Sequence, residues 1–276
     1  MPKLAVLGQP ISHSRSPAMQ NVALAELGLA GEWTYEGIEV APEAFDARVR
    51  SMPGEGFVGA NVTVPHKLAA LAVADQASEA ARAIGAANTL SFDGSRIAAE
   101  NTDAAGFLDA LPEPPNGKRA LVMGAGGSAR AVAWALTTHG ARVTIWNRTP
   151  EKALALAQEF GTSVADPGDE YDLIVNATTV GMGTSTQASS DLKSLPIDAD
   201  ALGERHQLVD LAYGPVETEL VRAASARGAR VVDGLEVLVR QGAASLRIWT
   251  GMDPPIEAMR RAARANEWQP KKDPRT

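Results

Sequence analysis

Arg119–Ala120–Leu121–Val122–Met123–Gly124–Ala125–Gly126–Gly127–Ser128–Ala129 is the stretch on which the reading of the fold turns. An apolar run suited to a strand ends at Met123, and an alanine-rich segment, Ala125–His139, follows the glycines as a helix. Strand, G-x-G-x-x-A loop and helix in that order are the context in which this pattern binds a dinucleotide. Gly124 permits the tight turn and Gly126 lets the backbone approach a pyrophosphate. Ala129, in the third glycine's place, is small enough for close helix–strand packing. Gly127 and Ser128 complete the first helical turn, whose free N–H groups and partial charge of roughly +0.5 favour phosphate. The plain alternative is a tight β–α turn with no ligand. The next strand, Arg142–Trp146, decides the cofactor: it ends in Asn147–Arg148–Thr149, with no acid where an NAD site holds the ribose hydroxyls. Arg148 can grip a 2′-phosphate through a fork of charge-assisted hydrogen bonds, Asn147 and Thr149 flank it, and Lys152 adds charge one helical turn on. These residues favour NADP over NAD.

Working outward, strands and helices alternate from end to end, the pattern of an α/β protein. Before the glycine loop the predicted strands are Lys3–Leu7, Trp33–Val40 and Gly59–Val64, then a hairpin of Ala87–Phe92 and Arg96–Glu100 turning at Asp93–Gly94. The predicted helices are one from Ser16–Pro17 to Gly28, with Ser16 as its cap, then Pro42–Ser51 and one opened by Pro65. Pro112–Glu113–Pro114–Pro115–Asn116–Gly117 suits neither a helix nor a central strand and marks a boundary. After it come helix Pro150–Phe160, strands Leu173–Asn176 and Leu208–Leu211, helix Val216–Arg227 and strand Arg230–Val232. Helices near Leu235–Trp249 and Pro254–Ala265 follow. Gly183–Ser190 reads as a polar, mobile loop, and the residues from Gln269 as a frayed tail.

The chain has 276 residues, 45% hydrophobic and 21% charged, with a net charge of −7 and no cysteine. That length suggests two domains with ample cores. Without cysteine there is no disulfide, thiolate nucleophile or Cys-ligated metal, and the scattered histidines (His13, His66, His139, His206) make no metal pair, so no metal site is expected. The acidic balance argues against a nucleic-acid partner. No apolar run approaches the ~20 residues of a membrane span, and the N-terminal run is too short for a secretory signal, so a cytoplasmic location is expected.

Polar clusters stand in otherwise apolar surroundings at Ser12–His13–Ser14–Arg15–Ser16–Pro17, Asn61–Val62–Thr63–Val64–Pro65–His66–Lys67, Gly85–Ala86–Ala87–Asn88–Thr89 and Asn101–Thr102–Asp103. With Gly8–Gln9–Pro10, Asn176–Ala177–Thr178, Tyr213–Gly214–Pro215 and Gln241–Gly251 they resemble the shikimate dehydrogenase family over nearly the whole chain. The resemblance implies two α/β domains: a substrate-binding domain of residues 1–103 plus 238–276, to which the C-terminal helices return, and a Rossmann-type NADP-binding domain of 104–237. It implies reversible, NADP-dependent reduction of 3-dehydroshikimate to shikimate, in aromatic amino-acid biosynthesis, by a monomer or homodimer acting on a small molecule. By the same resemblance Ser14 and Ser16 hold the substrate carboxylate, with Tyr213 near the cleft. Asn61, Thr63, Asn88 and Gln241 bind around the ring, and Lys67 and Asp103 flank the reacting carbon. Asn176, Ala177, Thr178, Leu211 and Gly234 join the glycine loop in binding the cofactor.

Physical chemistry supports these roles unevenly. A helix N-terminus at Ser14 and Ser16 favours an anion, although Ser16 also reads as an ordinary N-cap. Lys67 in a first turn opposes the helix dipole by roughly 0.3–1 kcal/mol, which suits either an exposed lysine or one paired in a cleft with Asp103. A lysinium there could stabilise an alkoxide and deliver its proton, while Asp103 reads equally as the N-cap of a helix Ala104–Leu111. His13 and His66 beside these clusters suit no more than supporting roles. Gln20, Thr179–Val180, Val237 and Leu246 depart from the family's usual residues, and those at Thr179 and Val237 fall near the expected nicotinamide pocket. Two other functions fit less well. For a quinate/shikimate dehydrogenase of broader specificity that accepts NAD, Arg148 without an adjacent acid speaks against NAD while the quinate question turns on pocket shape, and a silent NADP-binding regulator has no need of Lys67 and Asp103.

Overall fold

A computed structural model describes residues 1–166, 168–182, 192–214 and 216–265. The predicted loop Gly183–Ser190, the frayed tail from Gln269 and Pro215 lie outside the described residues. Two six-stranded sheets organise the chain. The first contains β1 (Lys3–Gly8), β2 (Thr34–Glu39), β3 (Phe57–Val62), β4 (Gln76–Ala77), β5 (Thr89–Asp93) and β6 (Arg96–Glu100), in spatial order β2-β1-β3-β5-β6-β4. β1 lies parallel to both β2 and β3, while β5 runs antiparallel to β3 and to β6, its hairpin partner. The Leu4–Leu7 run is continuous because both faces of this central strand are covered. Leu4 and Val6 point to one core with Met19, Leu24, Val239 and Met259; Ala5 and Leu7 point to the other with Phe45, Val49 and Val62.

Helices α1 (Ser16–Glu26), α2 (Phe45–Ser51), α3 (Lys67–Val73) and α4 (Glu79–Ile84) accompany this sheet, and α5 (Thr102–Ala110) leads away from it. α3 begins two residues later than predicted, because a turn closed by His66 N–H on the Thr63 carbonyl takes up Pro65 first (2.9 Å). α1 has Arg15, not Ser16, at its cap position, and the Ser16 N–H donates instead to Ser14 Oγ (3.3 Å). The two-residue strands β4 and Ser163–Val164 were not anticipated; they are too short to show an alternation.

The second sheet holds β7 (Arg119–Met123), β8 (Arg142–Trp146), β9 (Ser163–Val164), β10 (Leu173–Asn176), β11 (Gln207–Asp210) and β12 (Arg230–Val232). Its order, β12-β11-β10-β7-β8-β9, is fully parallel and reverses direction between β7 and β10. That is the Rossmann order, whose ligand crevice opens outside the strand C-termini at the reversal. Helices α6 (Gly127–Thr138), α7 (Pro150–Phe160) and α8 (Glu219–Ala226) cover it.

The C-terminal helices α9 (Gly234–Thr250) and α10 (Ile256–Arg264) pack against the first sheet and α1. Glycines permit the close approach. A Cβ on Gly59 of β3 would lie 2.2 Å from the Trp249 indole nitrogen, and one on Gly106 of α5 would lie 2.5 Å from the backbone nitrogen of Gln241. Gly106 sits one turn beyond Asp103 on α5, and the close approach leaves Gln241 and Asp103 both within reach of the Asn88 amide. Among the described residues no helix is long and apolar enough to cross a membrane.

Candidate active site

Lys67 and Asp103 meet. The Lys67 ammonium donates to Asp103 Oδ2 at 2.6 Å and to Ser128 Oγ at 2.9 Å, and the lysine is only 8% exposed. The helix termini explain how. Asn101, not Asp103, is the N-cap of α5: its Oδ1 accepts from the N–H groups of Asp103 and Ala104. The Asp103 carboxylate is thereby released from capping and faces Lys67, the first residue of α3. Its second oxygen accepts from Asn88 Nδ2 at 2.9 Å. A nearly buried ion pair with a hydrogen bond on the other carboxylate oxygen is well satisfied, which an isolated buried charge is not.

From Asn88 a buried polar network runs beneath the pair. Asn88 Nδ2 is within bonding distance of Gln241 Oε1 (3.1 Å) and Thr102 Oγ1 (2.9 Å), and its Oδ1 accepts from the Thr102 N–H (2.7 Å). Ser245, one turn beyond Gln241 on α9, lies 2.8 Å from Thr89 Oγ1 and accepts from Asn61 Nδ2 at 2.9 Å. Asn61 also accepts from the Tyr35 hydroxyl at 2.8 Å. With both ends of its amide bonded and 5% exposure, Asn61 supports the pocket floor from below. Thr63 is half-buried in the turn before α3, its methyl packed over Gly8. Tyr35 and Ser245 were not singled out in the sequence, and Thr102 only as the middle of the cluster Asn101–Thr102–Asp103. Only the i, i+4 spacing of Gln241 and Ser245 hinted at a shared helix face.

The serine loop receives a side chain from the second sheet. Tyr213, after β11, lies near Ser14 and Arg15; burial pushes its phenol above the usual range, partly offset by its interactions with these two residues. Tyr35 lies alongside, its phenol also raised by burial and partly offset by a hydrogen bond with Ser16. Ser14, Ser16 and Tyr213 thus converge from opposite sides of the molecule. His66 turns away from them, with Nε2 2.7 Å from the Val40 carbonyl and its ring stacked on Phe45. His13 is exposed.

The glycine loop sits at the strand reversal. Gly124, at φ 120°, closes the turn, and a Cβ there would lie 2.8 Å from the Ala177 carbonyl at the end of β10. Gly126 faces open space, and Ala129 is fully buried behind the first turn of α6. This cradle fits a pyrophosphate: open backbone at the second glycine, a twelve-residue helix aimed at it and no carboxylate in the loop. Arg148 and Lys152 stand exposed beyond β8, and neither pairs with a carboxylate among the described residues. Asn147 Nδ2 donates to the Thr149 carbonyl at 3.0 Å and fixes this turn.

Asn176 is fully buried and holds the next loop together. Its Nδ2 donates to the Val180 carbonyl and to Asp210 Oδ1 (2.8 Å), and its Oδ1 accepts from the N–H and hydroxyl of Thr178. Asp210 accepts also from the Thr218 hydroxyl (2.6 Å) and the Ala212 N–H (3.1 Å), and burial raises its carboxyl to about 6 despite them. The loop carrying Thr178 and the one carrying Leu211 to Tyr213 are therefore tied to one carboxylate. Gly234 lies close against this backbone: a Cβ there would sit 2.7 Å from the Leu211 carbonyl. Among the described residues no cluster of His, Asp and Glu could hold a metal.

Comparison with known proteins agrees along the whole chain. A model of the shikimate dehydrogenase substrate binding domain matches residues 6–90, one of shikimate / quinate 5-dehydrogenase matches 111–233, and one of the shikimate 5'-dehydrogenase C-terminal domain matches 234–264. A shikimate dehydrogenase (NADP(+)) of Thermus thermophilus is 45% identical over 269 residues, covering 96% of this chain and 98% of its own. One of Methanocella arvoryzae is 42% identical over 272 residues, covering 94% and 97%. The crystal structure of a Thermus thermophilus shikimate 5-dehydrogenase in complex with NADP(H) and shikimate superposes with a TM-score of 0.85 at 44% identity, covering 96% of this chain and 99% of its own. With family models over residues 6–90 and 111–264 and relatives above 40% identity over more than nine-tenths of its length, the chain belongs to the shikimate dehydrogenase family.

Proposed function

We propose that this chain is an NADP-dependent oxidoreductase that reversibly reduces 3-dehydroshikimate to shikimate, a step toward chorismate and the aromatic amino acids. The observation that carries the reading is the Lys67–Asp103 pair, lying against the first turn of the helix that follows the glycine loop. Residues 1–103 with 238–276 hold the substrate and 104–237 the cofactor. The loop Gly124–Ala129 would cradle the pyrophosphate, and Arg148 with Lys152 the 2′-phosphate. When bound, NADPH supplies the hydride.

The protein's own residues do the rest. Ser14, Ser16 and Tyr213 present hydroxyls for a carboxylate and so set which end of the ring points inward. Asn88 and Gln241 line the inner side, their amides suited to hydroxyls because each can donate and accept. Hydride arriving at the ketone carbon leaves charge on its oxygen. Lys67 stabilises that charge and gives up a proton, which it regains from solvent, and Asp103 holds the ammonium in place. Burial of the pair lowers the local dielectric and strengthens both effects.

One assay tests the reading: shikimate or quinate with NADP or NAD, followed at the reduced-nicotinamide absorbance. Shikimate with NADP is expected to give the highest kcat/KM. No turnover of shikimate with either cofactor sinks the proposal, and faster turnover of quinate moves the substrate.

A further inference from the structure

We propose that Ser128 is a positioning residue for proton transfer: its hydroxyl, carried on the cofactor-binding helix, anchors the Lys67 ammonium so that one N–H faces the substrate oxygen. This inference rests on the function proposed above and goes beyond it, because it gives a side chain of the nucleotide loop a task in the other half of the reaction.

The geometry is specific. An ammonium has three N–H groups in fixed tetrahedral directions. Asp103 Oδ2 takes one at 2.6 Å and Ser128 Oγ a second at 2.9 Å, and among the described residues the third has no partner. The three N–H groups turn together about the Cε–Nζ bond, and two acceptors hold that torsion more tightly than one, which narrows the range over which the third N–H points. The stem of Lys67 is held as well. A Cβ added to Gly127 would fall 2.6 Å from Lys67 Cβ and 3.0 Å from its Cδ, so the lysine runs in contact with the first turn of α6. Ser128, the second residue of that helix, is placed so that its short side chain reaches Nζ.

A hydroxyl also suits the task better than a second carboxylate. It accepts from the ammonium without adding a charge that would hold the proton back. The Ser128 hydroxyl has no other hydrogen-bond partner among the described residues, and the pyrophosphate is left to the backbone N–H groups of the loop. The side chain that fixes the lysine is thereby carried on the helix whose first turn faces the dinucleotide.

The test uses the full-length protein with Ser128→Ala and Ser128→Thr. For Ser128→Ala we expect kcat to fall by roughly 5–50-fold, the scale of a small misplacement of a reacting group. The solvent deuterium isotope effect on kcat rises, and the Kd for NADPH, from fluorescence titration without substrate, stays within twofold of wild type. Ser128→Thr keeps the hydroxyl and restores most of kcat. A kcat for Ser128→Ala within twofold of wild type overturns the assignment, as does a loss confined to NADPH affinity with an unchanged isotope effect. A second readout does not depend on the substrate's identity: the rate of reductive methylation of Lys67, read by peptide mass spectrometry. It is expected to rise severalfold in Ser128→Ala, and an unchanged rate counts against the anchor even if the wild type proves inactive on shikimate. Wild-type inactivity on shikimate alone would instead overturn the proposed function.

Discussion

Lys67 sits where a cation is least welcome, in the first turn of a helix and 8% exposed, and it remains there because Asp103 and Ser128 accept hydrogen bonds from its ammonium. Removing it should cost chemistry more than binding. Lys67→Ala is expected to lower kcat by roughly 10²–10⁴ with a smaller change in KM for shikimate, the range for a positioned acid–base group. Steady-state kinetics at saturating NADP checks this, and a variant within threefold of wild type would remove Lys67 from the proton transfer. Arg148 poses the opposite case, an exposed guanidinium whose only role would appear with ligand bound. Arg148→Ala should raise KM for NADPH by about 10–100-fold, as expected for lost charge-assisted hydrogen bonds, and barely change KM for NADH. An equal effect on both cofactors would argue against recognition of the 2′-phosphate. At this scale the sequence was legible in residue type but not in partner. Lys67 and Asp103 could be named from their motifs, yet Asp103 read equally as a cap until Asn101 was seen to cap α5 in its stead.

Among the elements, the loops after β10 and β11 depend on a single buried carboxylate. Asp210 joins the Asn176 amide, the Ala212 N–H and the Thr218 hydroxyl, and so connects β10, β11 and the start of α8 without any cation. Its carboxyl is raised to about 6 from an ordinary value of 3.8, so the folded state binds its proton more tightly than the unfolded chain. The stabilisation from this proton is fully present below about 4 and is lost as pH rises through about 6. Comparing wild type with Asp210→Asn by urea denaturation isolates the effect, since the variant does not titrate. On going from pH 7 to pH 4, wild type should gain about 2 kcal/mol relative to the variant. A constant difference across that range would show that Asp210 does not titrate there. The element boundaries were read from the sequence to within a residue or two wherever a periodic apolar run had a clear cap, as in α7 and β7. The two-residue strands and α4 were not read, because their place comes from contacts with neighbours and not from a pattern of their own.

At the scale of the molecule, the two sheets are joined by more than the chain that connects them. Arg130, on α6, donates to the Ile84 carbonyl at the end of α4 (2.7 Å), pairs with Glu159 and lies over the Phe160 ring. Ile84 and Ala86, from the first half, share one core with Ala104 and Phe107 of α5 and with the residues of α6 and β7. Arg130→Ala should therefore lower the stability of the whole protein by roughly 1–3 kcal/mol, the range for a lost hydrogen bond to a charged group, and speed proteolysis within 112–117. Urea denaturation and limited proteolysis check this, and unchanged values for both would show that the arginine does not join the halves. The sequence by itself determined the α/β class, the glycine loop Gly124–Ala129 between strand and helix and the acid-free end of the next strand at Arg148, because each depends on neighbours within one strand–loop–helix unit. Tertiary structure alone decided that Ser128 reaches Lys67, that Tyr213 meets Ser14, and that Tyr35, Asn61 and Ser245 support the floor. Those contacts join distant segments, Asn61 and Ser245 by 184 residues, and their distances are set by how closely glycines such as Gly59, Gly106 and Gly127 let backbones and side chains approach. Such spacing is a property of packed elements, and no local pattern in a chain encodes it.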